Sequence, residues 1–255
     1  MSLLERINPI GTLWLAFFSA ILAAWAGLFV MVVNSPTADV PSGLWEALCL
    51  GAAVADPVSL FAMWLLMSAA MMLPTFVPAL RTFLQLNAAG ATRPNEAAAL
   101  IAGYALVWTV GAMIGAIGQM ALANVGLLAP DGVSLSLWLS AALLFTAGLY
   151  QFTHLKAACL AKCRMPLTFF MERWAPGLPR AFLMGMEVGI LCFGCCWALM
   201  ALAFVGGTMN LIWMGAATLF MVMEKLPDLG RVLTRPAGHL LILAAGATAL
   251  AALNS

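Results

Sequence analysis

Charge is scarce in this sequence: Asp, Glu, Lys and Arg make up 8% of its 255 residues, whereas 64% are hydrophobic. A soluble globule carries about a quarter charged residues and about half apolar ones, so a soluble protein is excluded. Histidine is scarcer still. With only two, His154 and His239, a haem held between them is conceivable geometrically but has no motif behind it. The three lysines, Lys156, Lys162 and Lys225, all fall in charged connections, which excludes a retinal-type Schiff base inside a span. No phosphate-binding loop, zinc-protease pair, serine triad or internal repeat is present, so no nucleotide-driven or hydrolytic enzyme is indicated. A net charge of +1 gives no case for nucleic-acid binding.

What the sequence has in place of charge is long apolar runs, with a mean hydropathy of +1.04. A hydrocarbon core ~30 Å thick takes about 20 apolar residues per helix. Segments of that order run over 10–33, 58–80, 97–125, 133–152, 181–205, 209–223 and 237–253. The runs are continuous rather than alternating, which argues against membrane strands. The expected fold is therefore all-α: one integral membrane domain over 1–255, a polytopic transmembrane helical bundle of about seven spanning helices in a lipid bilayer. The first run is longer than the apolar part of a usual signal peptide and lacks a small-residue cleavage site, so it reads as a retained anchor.

Positive charge sets the orientation. All eleven Lys and Arg residues lie in alternate connections: Arg6; Arg81 and Arg93; Lys156, Lys162, Arg164, Arg173 and Arg180; Lys225, Arg231 and Arg235. The intervening connections and the C-terminal tail hold none. Cytoplasmic loops retain Lys and Arg, so the N-terminus is expected inside and the C-terminus in the periplasm of a bacterial inner membrane.

Sulfur is the other abundance, with 17 methionines and 6 cysteines. In "ILCFGCCWALM", Cys192, Cys195 and Cys196 stand at i, i+3 and i+4, which puts three thiols on one helix face. They lie about eleven to fifteen residues into the fifth apolar run, ~17–22 Å deep at ~1.5 Å per residue. In "FAMWLLMSAAMMLP", Met63, Met67 and Met71 form a stripe at i+4 steps, with Met72 to its side. A further group stands in "QFTHLKAACLAKCRMP": Cys159 and Cys163 stack if the fourth helix continues past Phe152, with His154 facing another way unless the chain bends. Glu187 is the one acidic side chain clearly within a span, where such groups usually face an interior. Soft thiolate and thioether ligands select Cu(I), with zinc also suited to thiolate. The bland reading of each residue alone is packing, since buried cysteine and methionine both fill cores.

Other features take ordinary roles. Gly111 with Gly115, and Gly185 with Gly189, suit close helix contact. Asp56 and Glu224 stand at helix ends, Glu224 as a local pair with Lys225. Trp45 and Trp174 suit interfacial belts, whereas Trp197 is deep enough to border the sulfur.

The runs "AGLYQFTHLKAACLAKCRMPLTF", "GCCWALMALAFVGGTMNLIWM", "MEKL" and "MSAAMMLP" together resemble a bacterial family of predicted metal-binding integral membrane proteins, over about 64–226. Some of its members are regarded as membrane copper chaperones for periplasmic oxidases such as tyrosinase. The resemblance implies copper handling, a Met-x-x-x-Met element on Met67 and Met71 extended by Met63, and thiol ligands at Cys159, Cys163, Cys192, Cys195 and Cys196.

The expected function is a Cu(I)-binding membrane protein that passes copper to a periplasmic copper-dependent oxidase, without an organic cofactor, a reading that leans away from an enzyme without deciding it. Cys159 and Cys163 capture the ion near the cytoplasm; Cys192, Cys195 and Cys196 with Met67 and Met71 hold it at mid-membrane. His154 and Glu187 complete the candidate ligands. Two rivals remain: a thiol oxidoreductase using the CxxC of the fifth helix, with only Cys49 outside as a relay, and a structural subunit of a metalloenzyme complex.

Overall fold

In the computed structural model, the described residues are 9–33, 56–88, 94–129, 132–208 and 210–254. Cys49, Trp45, Arg6 and Arg93 lie outside them, as does most of the connection expected on the outer face. The described residues form ten helices and one isolated bridge, between Leu128 and Ser134. The helices are α1 (Pro9–Val33), α2 (Pro57–Ala88), α3 (Pro94–Asn124), α4 (Leu137–Tyr150), α5 (His154–Arg164), α6 (Pro166–Arg173), α7 (Leu178–Ala201), α8 (Ala203–Gly206), α9 (Leu211–Lys225) and α10 (Pro227–Leu253).

Local chemistry sets many of the boundaries. Helices α1, α2, α3, α6 and α10 begin on proline, whose missing N–H costs nothing in a first turn. Asp56 caps α2 by accepting from Ser59 N at 2.9 Å, as expected of a carboxylate at a helix end. Ser136, Thr153 and Asn210 cap α4, α5 and α9 with side-chain oxygens.

Five helical stretches are long and apolar enough to cross a membrane: Ile10–Val33, Pro57–Leu86, Asn95–Asn124, Leu178–Gly206 and Pro227–Leu253. The fourth and sixth runs form shorter helices, α4 with 14 residues and α9 with 15. At ~1.5 Å per residue these reach only ~21–23 Å, short of a ~30 Å core. The last run also starts earlier than expected, because α10 carries Pro236 in its interior and extends back to Pro227. Large apolar side chains cover the exterior: Leu15, Leu22, Ile117, Ile190 and Leu243 are all exposed, as a lipid-facing surface requires.

Helix α7 is the most buried of the long helices and α10 the least. Its main partner is α3. Gly185 abuts the Leu100 carbonyl and Gly103 the Phe182 carbonyl, so a Cβ at either would collide with backbone. This is small-residue packing of the kind that lets membrane helices approach closely. Gly189 meets Val107, Gly111 meets Phe193 and Gly115 meets Trp64, so all four glycines singled out in the sequence serve close contacts. Helix α2 packs on α3, α1 on α2, α4 on α10, and α5 on α7.

Candidate metal centre

The i, i+3, i+4 spacing on α7 brings the Cys192, Cys195 and Cys196 sulfurs within 4.8 Å of one another, all three residues 1% exposed. Cys195 Sγ donates to the Cys192 carbonyl at 3.1 Å and lies 3.3 Å from Cys196 Sγ. No other group of three His, Cys, Asp or Glu ligand atoms converges in this way among the described residues. All five described cysteines are free thiols.

The surroundings of Cys192 are polar. Lys225, at the C-terminus of α9, donates from Nζ to Cys192 Sγ at 2.9 Å. The Tyr104 hydroxyl of α3 lies 3.1 Å from the same sulfur and donates to the Met72 carbonyl at 2.9 Å. Thr75 Oγ1 stands 3.6 Å from it and also donates to the Met72 carbonyl, at 2.8 Å. Three helices thus converge on one sulfur from α7.

Glu224 does not pair locally with Lys225, contrary to the expectation for adjacent opposite charges. Its Oε2 accepts from Lys156 Nζ at 2.9 Å, both side chains almost fully buried. Arg164 Nε donates to the Glu224 carbonyl at 2.9 Å, satisfying one of the orphan acceptors at the end of α9. Neighbours on one helix turn point about 100° apart. Glu224 is therefore drawn toward α5 while Lys225 reaches the thiols.

Cys159 and Cys163 stand beside the α7 thiols on a helix of their own. The fourth helix does not continue past Phe152: α4 ends at Tyr150, and Thr153 starts α5 as a new helix by accepting from Lys156 N at 3.2 Å. Helix α5 then lies against α7. Cys159 Sγ sits over Gly194, 2.8 Å from where a Cβ would stand, so "CFGCC" needs its glycine to admit the α5 thiol. Burial pushes the Cys159 thiol above its ordinary range, with Cys195 adding to the effect and Lys162 opposing it. Cys163 is held well above that range, first by its hydrogen bond with Cys195 and then by burial. Tyr150 donates to the Gly194 carbonyl and packs edge-on to Trp197, with ring centroids 5.1 Å apart. Trp197 therefore borders the thiol region through Tyr150.

The remaining candidates fall elsewhere or stand close by. Met63, Met67 and Met71 are buried in the core on α2. Met72 Sδ, on the same helix, lies 4.0 Å from Thr75 Oγ1, which is in turn 3.6 Å from Cys192 Sγ. Glu187 is not in the thiol cluster. It stands about one and a half turns before Cys192, and guanidinium groups hold both its oxygens, Arg173 Nε at 2.8 Å and Arg180 Nη1 at 3.2 Å. His154 is exposed at the start of α5 and shares a cavity with His239 instead of joining the cysteines.

Sequence reasoning missed Lys225, Tyr104, Thr75, Tyr150 and Gly194. One signal was available, since the chain has only 2 tyrosines and both reach this region.

Chemically, the arrangement offers three converging, buried thiols on α7, two further thiols on the adjoining α5 and a fixed cation beside Cys192. Such a site suits a soft metal ion. Residues 61–248 match the model of a family described as copper chaperone, PpoB2. Neither the curated proteins nor the solved structures contain a significant match to this chain.

Proposed function

Because the chain belongs to this copper chaperone family, we propose that it is an integral membrane protein that holds Cu(I) on buried thiols and hands it to a copper-dependent enzyme. The observation carrying this reading is the convergence of the Cys192, Cys195 and Cys196 sulfurs within 4.8 Å, with the Lys225 ammonium against Cys192. Two thiolates around one monovalent ion make a complex of net charge −1. That charge would be costly in an apolar interior without a counter-ion, and Lys225 supplies one.

Copper enters by ligand exchange. Cys159 and Cys163 on α5 offer the first thiols, each metal–sulfur bond forming as the bond to the donor breaks and a thiol proton leaves. The contiguity of α5 and α7 at Gly194 shortens transfer to the three α7 thiols. Met67 and Met71, extended by Met63, supply thioether ligands on the α2 side. The chain carries no nucleotide-binding motif, so transfer follows relative affinity and the gradient of copper.

The charge distribution supports seven crossings, α4 and α9 completing the count as short helices, with the N-terminus cytoplasmic, the C-terminus periplasmic and a bacterial inner membrane as the location. On this topology the recipient is a periplasmic copper-dependent oxidase.

Elemental analysis of the detergent-purified full chain after anaerobic Cu(I) loading tests the proposal. Copper retained by the native chain should be lost in Cys192→Ser/Cys195→Ser/Cys196→Ser; unchanged retention would reject the site. Thiol trapping distinguishes the oxidoreductase reading, which requires a Cys192–Cys195 disulfide in aerated cells.

A further inference from the structure

A second site stands apart from the thiols. The turn from α4 into α5 and the basic start of α10 enclose a cavity of about 620 Å³, whose lining includes Gln151, His154, Arg231, Thr234, Arg235 and His239. Lys156 and Arg164 also line it, but both are engaged: Lys156 with Glu224, and Arg164 with the Glu224 carbonyl and with Thr234 Oγ1 at 3.4 Å. Arg231 and Arg235 have no ion pair or hydrogen bond from their side chains among the described residues. They stand one helical turn apart on α10.

Gln151 is an independent indication. It is 5% exposed, yet neither its Nε2 nor its Oε1 has a hydrogen-bond partner. Leaving a buried amide unpaired costs about 1–3 kcal/mol, so a polar ligand in this cavity would satisfy groups that the chain leaves open. Gly238 backs the cavity wall closely, a Cβ there falling 2.9 Å from Gln151 Cβ.

The next stretch of α10 changes character. Ala237, Leu240 and Leu241 line an apolar groove of about 310 Å³ against α7 and α9. Exposed Leu240 and Leu243 continue the helix outward. Leu243 follows Arg231, Arg235 and His239 at i+4 steps, so one exposed stripe of the helix offers unpaired guanidinium groups and then an apolar surface. A free anion uses only the first; a molecule with an anionic head and hydrocarbon tails uses both.

We propose that this cavity binds the phosphate group of an anionic phospholipid. Arg231 and Arg235 pair with the phosphate oxygens, Gln151 donates to the headgroup, and one acyl chain runs along the same exposed stripe of α10 over Leu243. The shared chemistry with free phosphate is separable by experiment. Purified full-length protein is exchanged into detergent and titrated with phosphatidylglycerol, phosphatidylcholine or inorganic phosphate, with retained lipid read by native mass spectrometry and the melting temperature recorded. Phosphatidylglycerol should be retained and should raise the melting temperature saturably, with phosphatidylcholine giving neither effect at equal concentration. In Arg231→Gln/Arg235→Gln, whose changed side chains are exposed and unpartnered, retention should fall at least tenfold while copper loading is unchanged. Gln151→Leu should lower retention without loss of the fold, since it replaces an unpaired buried amide. Equal retention of both lipids, retention unaffected by the double variant, or stabilisation by inorganic phosphate alone would overturn the proposal.

Discussion

Removing the charge of Lys225 while keeping its bulk, as in Lys225→Met, should weaken Cu(I) binding even though lysine is not a copper ligand. Lys225 Nζ lies 2.9 Å from Cys192 Sγ, so the centre of a thiolate–copper complex falls about 4 Å from the ammonium. With an effective dielectric of about 20, a unit charge pair at that distance is worth about 4 kcal/mol. That is an upper bound, because whatever the lysine already gains from the metal-free thiols is subtracted. A loss of one to nearly three decades in affinity follows, at ~1.4 kcal/mol per decade. The assay is competition for Cu(I) against a chromophoric chelator at fixed pH, with metal-free melting curves to confirm folding. Lys225→Arg keeps the charge and should stay within a few-fold of the native chain; Lys162→Met, at an exposed position on α5, should change nothing. Native affinity in Lys225→Met would refute the counter-ion reasoning.

The buried Lys156–Glu224 pair makes a thermodynamic prediction: Lys156→Met strands a carboxylate at a cost of about 3–5 kcal/mol, while Lys156→Met/Glu224→Met recovers most of the loss in a melting experiment. Equal destabilisation by the single and double variants would contradict the pairing. Gly194→Ala places a methyl 2.8 Å from Cys159 Sγ and should cost about 1–3 kcal/mol as overpacking. Adding Cys159→Ala should relieve it, and a lack of relief would separate α5 from α7. Cys163, held high by Cys195 and by burial, stays protonated where a free cysteine is half ionised, at about pH 8.5. Its alkylation followed by mass spectrometry should remain slow there and accelerate only at higher pH; free-thiol rates at that pH would contradict the contact.

The helical fold and the α7 thiol triple were legible because both depend on local regularities, apolar run length and the 3.6-residue period. Asp56 at a helix end and the glycines of the α3–α7 contact were readable for the same reason. What escaped depends on pairings distant in sequence. Lys225 looks like a solvated loop charge beside Glu224, and only the folding of α9 against α7 and α5 sends the two side chains to different partners. The break at Gln151–Thr153 carries a cap signal, but nothing local tells whether α5 extends α4 or turns onto α7. That turn merges the two cysteine groups and sends His154 to the basic cavity. Glu187 lies within the apolar stretch Leu178–Gly206, as expected, but its partners were not legible because Arg173 and Arg180 stand just before the run read from the sequence.

X-ray absorption at the copper edge on the Cu(I)-loaded full chain reads directly which atoms hold the ion. A first shell of sulfur alone is expected, with the bound copper largely lost in Cys192→Ser/Cys195→Ser/Cys196→Ser. A shell of nitrogen or oxygen in the native chain, or an unchanged sulfur shell at undiminished copper content in that variant, would overturn the assignment.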